Sequence, residues 1–192
     1  MAIDWTLFKL CNSLAGRWPL LDTVIRVLVN EYAVTTALAL VLFALWFSGQ
    51  LPTFREQNQR AVLSAMASIL LTNLLIKLLN LAFYRPRPFA NHDVTLLFYR
   101  PSDSSFPSNA TAVGFSLATS VCLVNRKVGL VMYVLASSLG FARLCSGVHY
   151  PSDILAGMLV GVFSSYLIVR KISLLDQLWT IVIQRMRRLL LA

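Results

Sequence analysis

The sequence predicts an all-helical bundle of five to six membrane-spanning helices with short interfacial helices at its margins. Three observations point there. The 192 residues are 57% hydrophobic and only 13% charged, where an ordinary soluble domain carries about 25% charge. Mean hydropathy is +0.69. Apolar runs of crossing length recur between short charged turns, and no long polar segment leaves room for an appended aqueous domain or a disordered tail. A single domain over 1–192 is therefore expected. The 17 Lys and Arg against 8 Asp and Glu give a net charge of +9. In a soluble chain that surplus would suggest nucleic acid. Here the basic residues sit mostly at the ends of apolar runs, where they fit an anionic lipid surface or a phosphate ligand. Membrane lipids are the expected surroundings, with no nucleic acid and no obligate protein partner.

About 20 apolar residues cross a bilayer core. Segments 3–15 and 19–30 are shorter and contain Lys9, Asp22 and Arg26. Each reads as an interfacial or half-length helix, or the two together as one crossing. The windows 32–47, 61–83, 108–124, 128–148 and 153–169 read as five spans. The last segment, 174–191, is amphipathic and carries Arg185, Arg187 and Arg188, which suits a tilted sixth span or a helix on an anionic surface. Residues 31–170 thus form the core between an N-terminal stretch, 1–30, and a C-terminal one, 173–192. The first apolar run is broken by Lys9, Asn12 and Arg17, unlike a signal peptide. Cys11, Cys122 and Cys145 are scattered and read as core residues. Lys and Arg are retained on the cytoplasmic side. Arg55 and Arg60, Arg126 and Lys127, and Arg170 and Lys171 share one end, so the loop 84–106 and the turn 149–152 face outward together.

Three polar constellations fall at that outer end. In Tyr84-Arg85-Pro86-Arg87-Pro88-Phe89, alternating prolines make a stiff, extended exit from a span. The planar guanidinium fork suits phosphate, although an interfacial anchor snorkelling to headgroups has the same composition. Lys77, inside the preceding span, faces a polar interior or snorkels outward. In Asp103-Ser104-Ser105-Phe106-Pro107-Ser108-Asn109-Ala110-Thr111, Pro107 fits the first position of a helix. The free backbone donors there, with Ser108 and Asn109, form either a phosphate cradle or an ordinary capped helix start. In the third constellation Arg143 precedes His149, and Asp153 lies four positions beyond it. The carboxylate of Asp153 is expected to hold one ring N–H and leave the other nitrogen as a nucleophile. Several arginines around one imidazole describe a site that accepts a phosphoryl group on nitrogen without needing a metal. Metal chemistry has little to build on, since His92 and Asp93 are the other close His and carboxylate pair.

The order Arg-Pro, Pro-Ser-x-x, Arg-x5-His-x3-Asp resembles the type 2 phosphatidic acid phosphatase superfamily of integral membrane lipid phosphatases. Tyr-Arg-Pro-Arg-Pro-Phe, Asp-Ser-Ser-Phe-Pro-Ser and Gly-Val-His-Tyr-Pro-Ser-Asp are most similar to its bacitracin-resistance branch, the undecaprenyl pyrophosphate phosphatases. The resemblance runs from about residue 30 to 170. It implies that Arg87, Ser108 and Arg143 bind phosphate, that His149 becomes phosphohistidine and that Asp153 orients it. It further implies a polyisoprenyl diphosphate substrate, no cofactor, and a bacterial inner-membrane location with the site facing the periplasm, recycling the carrier lipid of cell-wall synthesis. Asn109, Lys77, Arg85 and Glu31 are additional candidates for phosphate contact; Glu31 equally reads as a helix cap.

Two departures from that family matter. Seven residues before Arg87, where the family has Lys, stands Asn80, and Lys77 one turn away is the candidate substitute. The second motif ends in a His that protonates the leaving oxygen, and here that position is Ala110. Either the histidine was removed from this chain, or the natural protein works without it. A diphosphate substrate releases a lipid phosphate with a second pKa of about 6, which departs far more easily than an alkoxide. Rival readings are a phosphatidate or phosphatidylglycerol phosphate phosphatase, a lipid phosphotransferase, and a non-catalytic protein that binds or flips an anionic isoprenoid lipid.

Overall fold

The computed structural model describes residues 2–30, 32–172 and 174–189. Among the described residues the chain forms helices and no strands: α1 (Ala2–Asn12), α2 (Pro19–Val29), α3 (Ala33–Phe47), α4 (Pro52–Ala82), α5 (Pro88–Asn91), α6 (Asn109–Cys122), α7 (Arg126–Cys145), α8 (Pro151–Arg170) and α9 (Leu174–Arg188). Pro19, Pro52, Pro88 and Pro151 each open a helix, where a missing N–H removes no intrahelical bond. The start expected at Pro107 falls two residues later. Ser108 N–H is taken by the Asp153 carbonyl at 3.0 Å, so Ser108 stays extended as the cap and α6 begins at Asn109.

Three helices, α4, α7 and α8, are long and apolar enough to cross a membrane, and α2 with α3, bent by 55°, makes a fourth candidate as a pair. The window expected at 108–124 contains α6, which has only 14 residues. Its surroundings explain the shortness. α6 is enclosed by α4, α7 and α8, so most of it faces protein, and a helix that meets little lipid needs neither full length nor unbroken hydrophobicity. It carries hydroxyls that are satisfied by its neighbours. Ser165 Oγ donates to the Ser116 carbonyl at 2.6 Å, Ser120 Oγ to Ser68 Oγ at 3.0 Å, and Thr119 Oγ1 shares a hydrogen with the Tyr133 hydroxyl at 2.6 Å.

Gly157 and Gly161, one turn apart on α8, set the closest approach. A Cβ at Gly157 would lie 2.5 Å from the Ser108 carbonyl oxygen. One at Gly161 would collide with the Ala112 carbonyl oxygen. Small residues at this spacing let two backbones meet, and here they press the start of α6 against the first turns of α8.

The basic turns gather at one end of the bundle. There Asn125 Nδ2 reaches Asn58 Oδ1 at 3.4 Å, and Arg60 pairs with Glu56 and bonds Thr180 Oγ1. α9 lies against α4 at the same end: Trp179 Nε1 donates to Ser64 Oγ at 3.1 Å, and Ile183 is buried. The three cysteines are unpaired, with Cys145 buried and Cys11 and Cys122 half-buried. At the opposite end the connection from α4 to α6 folds over the bundle. α1 is tied to it by Asn12, whose Nδ2 donates to the Thr95 carbonyl at 2.8 Å and the Cys145 carbonyl at 2.9 Å.

Candidate active site

Two extended segments of that connection run side by side and carry the site. Ser105 N–H donates to the Arg85 carbonyl at 2.9 Å, and Arg85 N–H to Ser104 Oγ at 3.1 Å. Prolines on either side hold Arg87 extended, at φ −73 and ψ 157. Its guanidinium turns into the end of the bundle and is 5% exposed. Nε donates to the Asp103 carbonyl at 3.1 Å and Nη2 to Asp103 Oδ1 at 2.8 Å. Nη1 donates to the Val148 carbonyl at 3.0 Å and lies 3.2 Å from His149 Nε2.

His149 stands in the turn between α7 and α8, which Gly147 enters at φ +86, a conformation glycine adopts without a Cβ clash. The ring is buried. Its Nδ1 is 2.9 Å from the Ser105 carbonyl oxygen. A carbonyl only accepts, so the neutral ring carries its proton on Nδ1 and presents a lone pair at Nε2. The acceptor is not the one expected from the His149–Asp153 spacing. Asp153 Oδ2 is 3.8 Å from Nδ1, because that oxygen is already occupied by Ser105 Oγ at 2.5 Å and Tyr150 N–H at 2.8 Å. Asp153 therefore reaches the imidazole through Ser105, which the sequence reading did not single out.

Burial is the main cause that pushes the imidazole down from 6.5 to about 4; Asp153 opposes it, and the Arg87 and Arg143 charges add to it. The lone pair persists at every pH above about 4 and is lost below it. In 15N-histidine spectra of the whole protein, His149 should keep its neutral Nδ1–H signature down to pH of about 4. A midpoint near 6.5 would contradict this environment.

A cavity of about 440 Å³ opens beside Nε2. Arg87, Arg143 and His149 line it from one side, Asn109, Ala110 and Val113 of α6 from another, and Asn80 and Thr35 from α4 and α3. Arg143 is 6% exposed, its guanidinium 5.5 Å from the Phe98 ring. The first-turn N–H groups of α6 have no acceptor within the helix, so anions are favoured at this end. Ser108 is fully buried behind that turn, its Oγ 3.0 Å from Thr111 Oγ1, and does not line the cavity. Lys77 lies on an exposed face of α4 and Asn80 lines the cavity, with an Oδ1 that has no hydrogen-bond partner. Glu31 lies outside the described residues.

Arg85 does not line this cavity. Nη1 donates to Asp153 Oδ1 at 2.7 Å and Nη2 to Asp4 Oδ2 at 2.6 Å, and its guanidinium stacks 4.0 Å from the Tyr150 ring. Asp4 is a second residue the sequence reading missed: a lone acid in the first turn of α1 carries no signal of a partner 81 positions away. Among the described residues, no group of three or more His, Cys, Asp or Glu gathers as a metal-ligand set.

Buried arginines, an open helix start and an unprotonated imidazole nitrogen, meeting at one end of a bundle of membrane-length helices, are the equipment of a membrane protein that handles phosphate. Residues 61–175 match the PAP2 superfamily, and the chain belongs to it as a membrane phosphatase of that type. It is similar to undecaprenyl-diphosphatase BcrC of Bacillus subtilis, at 31% identity over 90% of this chain and 86% of that protein. It is also similar to lipid A 1-phosphatase of Rhizobium etli, at 31% identity over 73% of this chain and 67% of that protein. The crystal structure of Aquifex aeolicus LpxE matches with a TM-score of 0.72 and 28% identity, over 88% of this chain and 96% of that one.

Proposed function

We propose that this protein hydrolyses undecaprenyl diphosphate to undecaprenyl phosphate and inorganic phosphate through a phosphohistidine at His149. The observation that carries the reading is the Nε2 lone pair beside Arg87, at 3.2 Å, in a cavity that also holds Arg143 and the start of α6. Phosphate oxygens are charged and accept more strongly than an imidazole nitrogen, so substrate draws the Arg87 guanidinium off Nε2 and frees the nucleophile. Nε2 then attacks the terminal phosphorus, the bond to the bridging oxygen breaks, and undecaprenyl phosphate leaves with that electron pair. Water attacks the phosphorus in turn, returning the electron pair to Nε2 and leaving its proton with the released phosphate. Arg87, Arg143, Asn109 and the first-turn N–H groups of α6 hold the equatorial oxygens.

The similarity to undecaprenyl-diphosphatase BcrC supports a diphosphate substrate, and Ala110 favours it independently. Without a proton donor at that position, a leaving phosphate with a pKa of about 6 departs where an alkoxide does not. On this reading Ala110 is a histidine removed from an efficient enzyme, or the natural residue of one that relies on its leaving group. α3, α4, α6, α7 and α8 make five crossings, α9 lies along the surface at the basic end, and the site faces the periplasm of a bacterial inner membrane.

Phosphate release from undecaprenyl diphosphate, phosphatidate and lipid A, in detergent without added metal, tests the proposal. Turnover of the diphosphate well ahead of the other two is the expected result. Preference for either monoester, or silence on all three lipids, overturns it.

A further inference from the structure

Asp4 lies outside the residues that match the family, yet its carboxylate is built into the support of the imidazole. Oδ1 accepts from Ser152 N–H at 2.9 Å, at the start of α8, and Oδ2 from Ser152 Oγ at 2.7 Å and Arg85 Nη2 at 2.6 Å. Arg85 Nη1 passes to Ser152 Oγ at 2.6 Å and Asp153 Oδ1 at 2.7 Å. Asp153 Oδ2 holds Ser105 Oγ, and the Ser105 carbonyl holds His149 Nδ1 at 2.9 Å. From α1 to the ring the relay runs through hydrogen bonds of 2.9 Å or less, joined within Ser105 by its own covalent frame. We propose that Asp4 is a positioning residue for phosphoryl transfer, fixing the His149 ring through Arg85, Asp153 and Ser105; this rests on the phosphohistidine reading above.

One guanidinium is divided between two acids. Arg85 sits between two carboxylates, Asp153 with a fully buried side chain and Asp4 with one 17% exposed. Burial raises the Asp4 carboxyl, but hydrogen bonds from Arg85 and Ser152 outweigh it and hold the group below its usual range, so it is charged at neutral pH. While both acids share Arg85, Asp153 engages it through Oδ1 and keeps Oδ2 for Ser105 and Tyr150. An amide at position 4 loses the charge and replaces one of the two acceptor oxygens with an NH2 group that faces a donor. Arg85 then has a single charged partner, and its bidentate geometry competes for both Asp153 oxygens. Ser105 loses its acceptor, its carbonyl moves, and the ring turns about its Cβ–Cγ bond. None of these groups lines the phosphate cavity, apart from His149 itself. The loss should therefore fall on kcat and leave KM nearly alone. α1 stays docked in the variant, because Asn12 ties it to Thr95 and Cys145, and Phe8 packs on Tyr150 at 5.6 Å.

The test compares the unaltered protein with Asp4→Asn and Asp4→Glu in detergent, following kcat and KM on undecaprenyl diphosphate and the 15N signals of His149. Asp4→Asn is expected to lower kcat by about 10- to 100-fold, as loss of an outer support to a functional histidine does. KM should hold within about two-fold, the His149 Nδ1–H signal should shift or broaden, and Asp4→Glu should recover most of the rate. Should Asp4→Asn not be recovered folded, Asp4→Ser removes the charge with a smaller group. An unchanged kcat, or a loss of rate with the His149 signal unmoved, overturns the positioning role. Failure of the unaltered protein to release phosphate is a different result: it overturns the proposed function, and the His149 spectrum of the variant then decides the role of Asp4 alone.

Discussion

Replacing His149 with alanine should abolish phosphate release from every lipid that the unaltered protein accepts, a fall in kcat of at least about 10⁴-fold. The size follows from the two things the ring supplies. It is the sole nucleophile facing Arg87 Nη1 at 3.2 Å among the described cavity residues, and it is delivered with its proton held on Nδ1 by a hydrogen bond to the Ser105 carbonyl. No neighbouring side chain reproduces either. The checks are inorganic phosphate release and an acid-labile, base-stable label on the protein after rapid mixing with radiolabelled diphosphate. Activity that survived in the alanine variant would sink the phosphohistidine mechanism, whatever the substrate.

Ala110→His should move turnover the other way, by about 10² to 10⁴-fold, the usual contribution of a placed general acid. Position 110 is the second residue of α6, half-buried and on the wall of the same cavity as His149. A helix start and two nearby guanidiniums disfavour a protonated imidazole there, whereas a bound diphosphate favours it, so the acid forms where it is used. The gain should be larger for phosphatidate, which expels an alkoxide, than for undecaprenyl diphosphate, which expels a phosphate. Phosphate release by both chains on both lipids measures the difference. No gain on either lipid would remove Ala110 as a deleted acid and revive the reading of a lipid-binding protein.

Much of the fold could be read from the chain, because α4, α7 and α8 face lipid and must be long and apolar to do so. α6 is harder, since its length answers to protein neighbours instead. In the site, the residues that face the cavity stand in compact motifs and announce themselves: Arg87, Asn109, Arg143 and His149. The supports do not. The spacing of His149 and Asp153 correctly brings them to one turn, but spacing cannot tell that Tyr150 and Ser105 have already claimed the carboxylate. A backbone carbonyl, the one on Ser105, has no signature at all. Arg85 and Arg87 look equivalent in sequence and part in space: an extended proline-rich segment turns about three residues per cycle, so positions two apart leave it on different sides, one to the cavity and one to Asp4. Asp4 itself requires the folded chain.

The glycine contact between α6 and α8 also decides the traffic of the molecule. With carbonyl oxygens of one helix seated where side chains of the other would be, that seam has no lumen, and neither water nor a headgroup threads it from one end of the bundle to the other. On the proposed mechanism, substrate, nucleophilic water and freed phosphate then come and go on the cavity side of that seam. A shared route of that kind would make departure as consequential as arrival, because orthophosphate lingering on Arg87 would bar the next lipid.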